Sequence, residues 1–349
     1  MMEAEVEADA ALDAVLENRL LSGWAANLPR SARQVNQPHE ADAELVRLGD
    51  GRLLAATVDA IDEELRFGLY REPATVGRLA AIASLSDLAA VGAEPLGLLL
   101  AVTLPENAEE ARRTQRELAR GLAEVARQAG TFVLGGDTSL GAALSISCTG
   151  LGIVPEGEAL LRVGARPGDL LYASGPLGDG AAFAVAKLLD ARTAPPEDTF
   201  RPPLRLAHGR ALRRIGRVCM DTSDGLIATL DQLARLNRLA VEVEAPLDQL
   251  LSSAAREVGA RLALTPFELL AACHGEFELV FAVPPERRGA LDRAARGLGW
   301  DPVPIGRFVQ GSGLRAGGRE IDGAAVRNAF GECGDSLQRY QRVLRTLGP

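Results

Sequence analysis

The apolar positions of the chain fall into two kinds of run, short continuous blocks and longer stretches with helical spacing. RLLAATVDAI, residues 52–61, is apolar enough for a buried strand that ends at Asp59. VGRLAAIASLSDLAAVGAEP, residues 76–95, predicts a helix closed by Gly92 and Pro95. LGLLLAVTLP (96–105) predicts a strand, and NAEEARRTQRELARGLAEVARQAG (107–130) an amphipathic helix with acids in its first turn and Gly130 at its end. TFVLGGDTSLG (131–141) predicts a strand that ends in a Gly-Gly turn, and AALSISCTGLGIVP (142–155) a strand of period two. The predicted order of the first half is therefore β-α-β-α-β-β, preceded by a terminal helix in which Leu12, Val15, Leu16, Leu20 and Leu21 share a face.

The second half begins after turn-rich VPEGEAL and ARPGD. LLYASG, LAVEVEA, FELVFAVPPE and PVPIGRFV read as strands, GLRAGGREI as a hairpin, and LGDGAAFAVAKLLDA, LRLAHGRALRRIG and PERRGALDRAARGLG as helices, with a terminal helix last. A chain of 349 residues suggests two domains of roughly 150–180 residues each. The expected division is an N-terminal helix and linker over 1–36, a first domain over 37–155 and a second over 156–349. Alternation of strands and helices in both halves makes the class α/β (α+β), and no short-period repeat suggests a solenoid.

A formal net charge of -9 and the absence of any basic run argue against nucleic acid or an anionic membrane as partner, leaving a small molecule. No apolar run approaches the ~18 residues of a membrane span, and the acidic opening stretch lacks a signal pattern, so the expected location is cytoplasmic. The four cysteines have neither zinc nor redox spacing and read as reduced thiols. Among 38 basic residues the single lysine is Lys187, in a helix where a surface role suits it, which sets lysine chemistry aside.

Phosphate-binding lysine loops, dinucleotide glycine fingerprints, kinase HRD/DFG pairs and GxSxG elbows are all absent. The three histidines accordingly read as surface or structural. Aspartates carry the chemical signal. Asp59 ends an apolar strand, Asp87 sits inside an apolar helix beside Ser84 and Ser86, Asp137 follows Gly135 and Gly136, and Asp221 and Asp224 bracket a turn. A buried carboxylate is costly unless it is paired or bound to a cation, and magnesium favours such oxygen ligands. Helix capping is the competing reading for Asp221 and Asp224, whereas Asp87 lies too deep in its helix for that role. GPLGDG, with Gly178 and Asp179, opens a helix whose N–H groups suit an anion or serve as a plain turn.

SLSDLAAVGAEP, GGDTSLG, EGEALLRVGARPGDLLYASGPLGDG, MDTSDGL and ELVFAVPPE together resemble the thiamine-monophosphate kinase family, within the superfamily typified by aminoimidazole ribonucleotide synthetase. The resemblance runs in order from about Ala55 to Phe308. It implies a two-domain AIR synthase-like fold, usually a homodimer in which N-terminal mixed sheets meet as a barrel, with ATP and Mg2+ held beside the interface. It further implies metal contacts from Asp59, Asp87, Asp137 and Asp224, with Glu40 and Asp42 in the early acidic loop. Gly135, Gly136, Asp137, Thr138, Ser223, Gly178 and Asp179 are the implied nucleotide-binding positions. Asp221 and Asp224 are the expected catalytic pair, and Arg66, Glu276 and Glu278 the expected acceptor contacts.

Several positions depart from the family pattern. Its early GDDAAVL is HEADAEL, its TDxLVEGVHF is VDAIDEELRF with Arg66 in place of histidine, its GGDTTRG has Leu140 in place of arginine, and its GGDDYEL is CHGEFEL. The expectation is an ATP- and Mg2+-dependent phosphotransferase acting on a small metabolite through a diverged acceptor site. The alternatives are an ATP-dependent synthase that activates an amide or acyl oxygen by phosphorylation, or a catalytically silent nucleotide-binding dimer.

Overall fold

The computed structural model describes residues 12–189, 194–333 and 336–349. The acidic opening stretch up to residue 11 and the last residues of LGDGAAFAVAKLLDA lie outside them. Two mixed sheets organise the chain. The first contains β1 (Glu44–Arg47), β2 (Arg52–Ala60), β3 (Glu94–Pro105), β4 (Val133–Gly141) and β5 (Ser145–Pro155), in the order β1-β2-β5-β3-β4. All its pairs are antiparallel except β3 with β4. The second contains β6 (Leu170–Ala173), β7 (Val218–Asp221), β8 (Ala240–Val243), β9 (Leu279–Val283), β10 (Val303–Val309), β11 (Gly313–Ala316) and β12 (Arg319–Ile321). Its order is β12-β11-β8-β10-β6-β9-β7, and the β11–β12 hairpin was legible in GLRAGGREI.

The Pro73–Ala90 helix joins the halves. Proline at its first position fits a helix start, and every residue except Pro73 and Asp87 is buried. A helix apolar on all sides must be covered on all sides. It packs on β2 and β5, on the Ala108–Ala129 helix, and on the Leu206–Leu212 helix and β7 of the second half. The Ala108–Ala129 helix is amphipathic instead. Asn107 caps it by accepting from the Glu109 and Glu110 N–H groups at 3.1 Å, and Gly130 closes it at φ 67°. The two helices approach so closely that a β-carbon on Gly121 would overlap the Ala74 carbonyl oxygen.

Four expectations need correction. ELVR forms the short strand β1, which its few residues and weak alternation concealed. Gly135 and Gly136 do not end a strand but continue through β4, since Gly136 lies against β3 where a β-carbon would strike the Leu100 carbonyl. The terminal helix, Leu16–Asn27, turns its leucines outward: Leu16, Leu20, Leu21 and Trp24 are exposed, while Val15 and Asn18 are buried. It is fastened by polar contacts, Asn18 Nδ2 to Gln232 Oε1 at 3.0 Å and the Leu16 N–H to Asn328 Oδ1 at 2.9 Å. Lys187 is also more than a surface lysine, pairing with the buried Glu197 at 2.9 Å.

The four cysteines are unpaired, and no described helix is long and apolar enough to cross a membrane. The helix crossing sets a test. Gly121→Ala should cost roughly 1–3 kcal/mol in urea unfolding, because backbone carbonyl cannot move aside. Gly297→Ala, in a helix with open space around it, should leave stability equal or slightly higher.

Candidate active site

Five aspartates reach the seam between the halves from five different elements. Asp42 stands in the loop before β1, Asp59 near the end of β2, Asp87 in the Pro73–Ala90 helix, and Asp221 at the last position of β7. Asp224 lies in the turn that leads to the Leu226–Asn237 helix. Carboxylate oxygens of Asp42, Asp87 and Asp221 all lie within 4.8 Å of one another. Asp59 is close enough for its charge to raise Asp87.

Neighbouring donors fix each carboxylate. The Thr57 hydroxyl donates to Asp87. Ser86 Oγ donates to Asp221 Oδ2 at 2.7 Å, and Ser223 Oγ to Asp221 Oδ1 at 2.9 Å. Asp42 Oδ1 accepts from Arg162 Nη2 at 2.9 Å and from the Asp221 N–H at 3.3 Å. Two oxygens, Asp42 Oδ2 and Asp59 Oδ2, are buried without any hydrogen-bond partner. The capping alternative for Asp221 and Asp224 does not hold, because Gly225 is the N-cap of the following helix and no side chain caps it.

So many carboxylates in one place resist ionisation. Burial, followed by the charges of Asp59, Asp221 and Asp42, pushes Asp87 well above the usual carboxylate range. Burial raises Asp59 to about 6 and, reinforced by Asp42, raises Asp221 to about 6. Asp224 rises to about 7, through burial and then the Glu17 charge. Burial opposes the charge of Arg162, but Asp42 more than offsets it and the guanidinium is held above its ordinary range.

The other expected residues lie elsewhere. Asp137, with Gly135, Gly136 and Thr138, sits on the exposed edge strand β4. Between β2 and β4 stand β5 and β3, so Asp137 is three strand spacings, roughly 14 Å, from the end of β2. Strand order, which the sequence does not reveal, keeps it from the cluster. Glu40 bonds the Gln37 N–H at 2.7 Å within its own turn. Arg66 is exposed, pairs with Glu63 at 3.2 Å and covers the Phe67 ring at 4.6 Å.

Glu276 and Glu278 are engaged internally. Glu276 accepts from the Gly180 and Ala181 N–H groups at 3.1 and 3.2 Å, so it fills the helix N-terminus expected to hold an external anion. Burial pushes it up to about 7. Glu278 takes a two-pronged ion pair from Arg205, with Nη2 at 2.6 Å and Nε at 2.8 Å. Gly178 packs against Leu251, and Asp179 accepts from the Ser252 hydroxyl. His274 is structural, buried against the Tyr70 hydroxyl at 2.7 Å and lowered by burial to about 4.

The first half of the chain, residues 40–154, matches the model of the AIR synthase related protein N-terminal domain, and residues 166–318 match that of its C-terminal domain. Thiamine-monophosphate kinase of Haemophilus influenzae is 33% identical over 279 residues, covering 78% of this chain and 83% of that protein. The chain belongs to the AIR synthase related family, in its thiamine-monophosphate kinase-like branch. The solved structure of tt0281 from Thermus thermophilus superposes with a TM-score of 0.74 at 33% identity, covering 86% of this chain and 96% of that one. The complex of AaThiL with AMPPCP and TMP superposes at 0.70 and 25% identity, covering 81% and 89%.

Thr57, Ser86 and Arg162 are site residues that sequence reasoning passed over. Ser86 had a signal, a hydroxyl beside an aspartate in an otherwise apolar helix. Arg162 had one too, since a chain with a single lysine must pair buried acids with arginine.

Because Asp59, Asp221 and Asp224 hold protons more tightly folded than unfolded, they stabilise the metal-free fold fully below about pH 4 and lose that contribution as pH rises through 6–7. In chelator, the melting temperature of wild-type protein should therefore fall between about pH 5 and 7.5 more steeply than that of Asp87→Asn, which removes one of the repelling charges.

Proposed function

We propose that the chain is an ATP- and Mg2+-dependent phosphotransferase that passes the terminal phosphoryl group of ATP to a small phosphate-bearing acceptor. The observation that carries this reading is the convergence of Asp42, Asp87 and Asp221 within 4.8 Å, beside two buried carboxylate oxygens with no partner. Its family relatives carry the name thiamine-monophosphate kinase, and AaThiL was solved with AMPPCP, an ATP analogue, and TMP.

Magnesium fits the donor set. Every candidate ligand is a hard carboxylate oxygen, and the unpartnered Asp42 Oδ2 and Asp59 Oδ2 are atoms whose burial a cation would offset. In this reading Asp42, Asp59, Asp87, Asp221 and Asp224 hold the metal, and the ion supplies charge neutralisation for the triphosphate. Ser86, Thr57 and Ser223 keep the carboxylates aimed. Orientation of this kind is where the protein's share of phosphoryl transfer lies. No general base is required of the chain, because a phosphate acceptor is already an anionic nucleophile.

The acceptor is assigned to a cavity of about 250 Å³ at the seam, lined by Glu63, Glu64, Phe67, His274, Phe330 and Tyr340 among others. Asp224 lies near enough to add its charge to that of Glu64. Its apolar walls and acidic rim suit a flat cationic ring, while Glu276 and Glu278, already bonded internally, shape the fold behind it.

A homodimer completes the reading. Val58, Leu99, Leu134 and Leu140 leave apolar surface on the first sheet open, and β4 is an unpaired edge. Two such sheets meeting would let the GGDT strand of one copy face the aspartate cluster of the other, which gives Asp137 a role that strand order denies it within one chain.

Wild-type protein with ATP, Mg2+ and thiamine monophosphate should form ADP and thiamine diphosphate. Asp87→Asn and Asp224→Asn should each lower kcat by about 100-fold or more. Mixing Asp87→Asn with Asp137→Asn subunits in equal amounts should restore about a quarter of wild-type activity, since half the dimers then hold one intact site. Lack of ADP formation would sink the kinase reading, and lack of recovery on mixing the shared site.

A further inference from the structure

A second cavity, of about 320 Å³, lies in the second half of the chain against the strap of residues 195–203. The strap is preformed. Pro195, Pro202 and Pro203 stiffen it, Thr199 Oγ1 donates to the Pro196 carbonyl at 2.6 Å, and Arg201 Nε donates to the Asp198 carbonyl at 3.0 Å. Glu197 fastens it to the rest of the fold: its buried carboxylate accepts from the Arg71 and Glu72 N–H groups at 2.9 Å each and pairs with Lys187 at 2.9 Å. Phe200 stacks on Phe183 with ring centroids 4.8 Å apart, and with Ala254 and Val258 these rings give the cavity apolar walls that are already in place.

Its acids are not balanced by cations. Glu278 has Arg205, but among the described residues no cation pairs with Glu276 or Asp179. Glu276 is 6% exposed and rests on the Gly180 and Ala181 N–H groups, which leave part of the acceptor capacity of its two oxygens unused. Asp179, held by the Ser252 hydroxyl, lies near enough to add its own negative charge. Arg201 also lines the cavity, but it is paired with Glu124. A buried carboxylate offset only by a helix N-terminus still gains from a counter-charge.

This cavity is separate from the one at the seam. Tyr70, Phe183 and Phe200 form a continuous ring stack, and the Tyr70 hydroxyl bonds His274. Phe183 and Phe200 line the strap cavity, whereas His274, Val185 and Ala272 line the seam cavity, so the stack and its flanking residues are the wall between the two.

We propose that the strap cavity is a second small-molecule site, which takes an organic cation with a compact apolar body and a forked N–H donor, as in an amidinium or guanidinium group. The cation supplies the positive charge that Glu276 and Asp179 lack, and its body lies against the phenylalanine and proline walls. Neither metal nor ATP enters this reading, so it stands or falls apart from the phosphotransferase.

Benzamidine is the probe, with benzamide as its neutral counterpart of nearly the same shape. Full-length protein carrying 13C-labelled alanine and valine methyl groups is titrated with each and followed by NMR. Benzamidine should shift Ala182, Ala254 and Val258 most strongly and leave Val185 and Ala272 little changed, and benzamide should bind about tenfold more weakly. Ala254→Phe, at an exposed helix position, should keep the fold, fill the cavity mouth and remove the shifts of Ala182 and Val258. Glu276→Gln should bring benzamidine down to the affinity of benzamide. Equal affinity of wild-type protein for the two probes, shifts that survive Ala254→Phe, or shifts largest at Val185 and Ala272 would overturn the proposal. So would the absence of any shift up to the solubility limit of benzamidine.

Discussion

The constraint on which the rest depends is the repulsion among carboxylates gathered at one seam. Asp42, Asp59, Asp87, Asp221 and Asp224 come from elements that pack on one another through an apolar helix, so none can retreat into solvent without unpacking the core. Burial and mutual charge keep several of them partly protonated near neutrality. Such a site destabilises the fold near neutrality, and under the proposed metal binding it is relieved when a cation replaces the protons.

Much of the architecture holds that cluster in place. The Pro73–Ala90 helix is buried on all sides because it must carry Asp87 to the junction of both halves, and its close crossing with the Ala108–Ala129 helix fixes its axis. Thr57, Ser86, Ser223 and Arg162 each direct a donor at one particular oxygen. The result is a preorganised set of hard carboxylate oxygens, the arrangement that the proposed metal-assisted phosphoryl transfer calls for when positioning and charge neutralisation do most of the catalytic work.

Asp87 was legible from sequence because a carboxylate inside an apolar helix has no ordinary structural explanation, Asp59 because it closes an apolar strand, and Asp221 and Asp224 because they bracket a turn, although capping competed there. Asp137 looked equivalent but lies apart from the cluster within one chain, since the distance between two strand ends depends on how many strands lie between them. Glu276 and Glu278, expected at the acceptor, are bonded within the fold, because a motif position does not reveal whether a carboxylate faces a ligand, a helix N-terminus or an arginine. The Leu16–Asn27 helix kept its predicted spacing but turned its apolar face outward, and it is latched by polar contacts with Gln232 and Asn328, each more than two hundred residues further along the chain. Local pattern thus defined the elements, while contacts between distant segments decided which way they faced.

The most direct measure of this account is the number of protons released when Mg2+ and AMPPCP bind. Calorimetric titration near pH 6.5, in two buffers with different ionisation heats, reads that number from the difference in apparent enthalpy. The carboxylate cluster predicts net proton release of about one per site, diminished in Asp87→Asn. Binding of the analogue that needs no Mg2+, or that releases no protons, would contradict the claim that these aspartates exchange protons for metal.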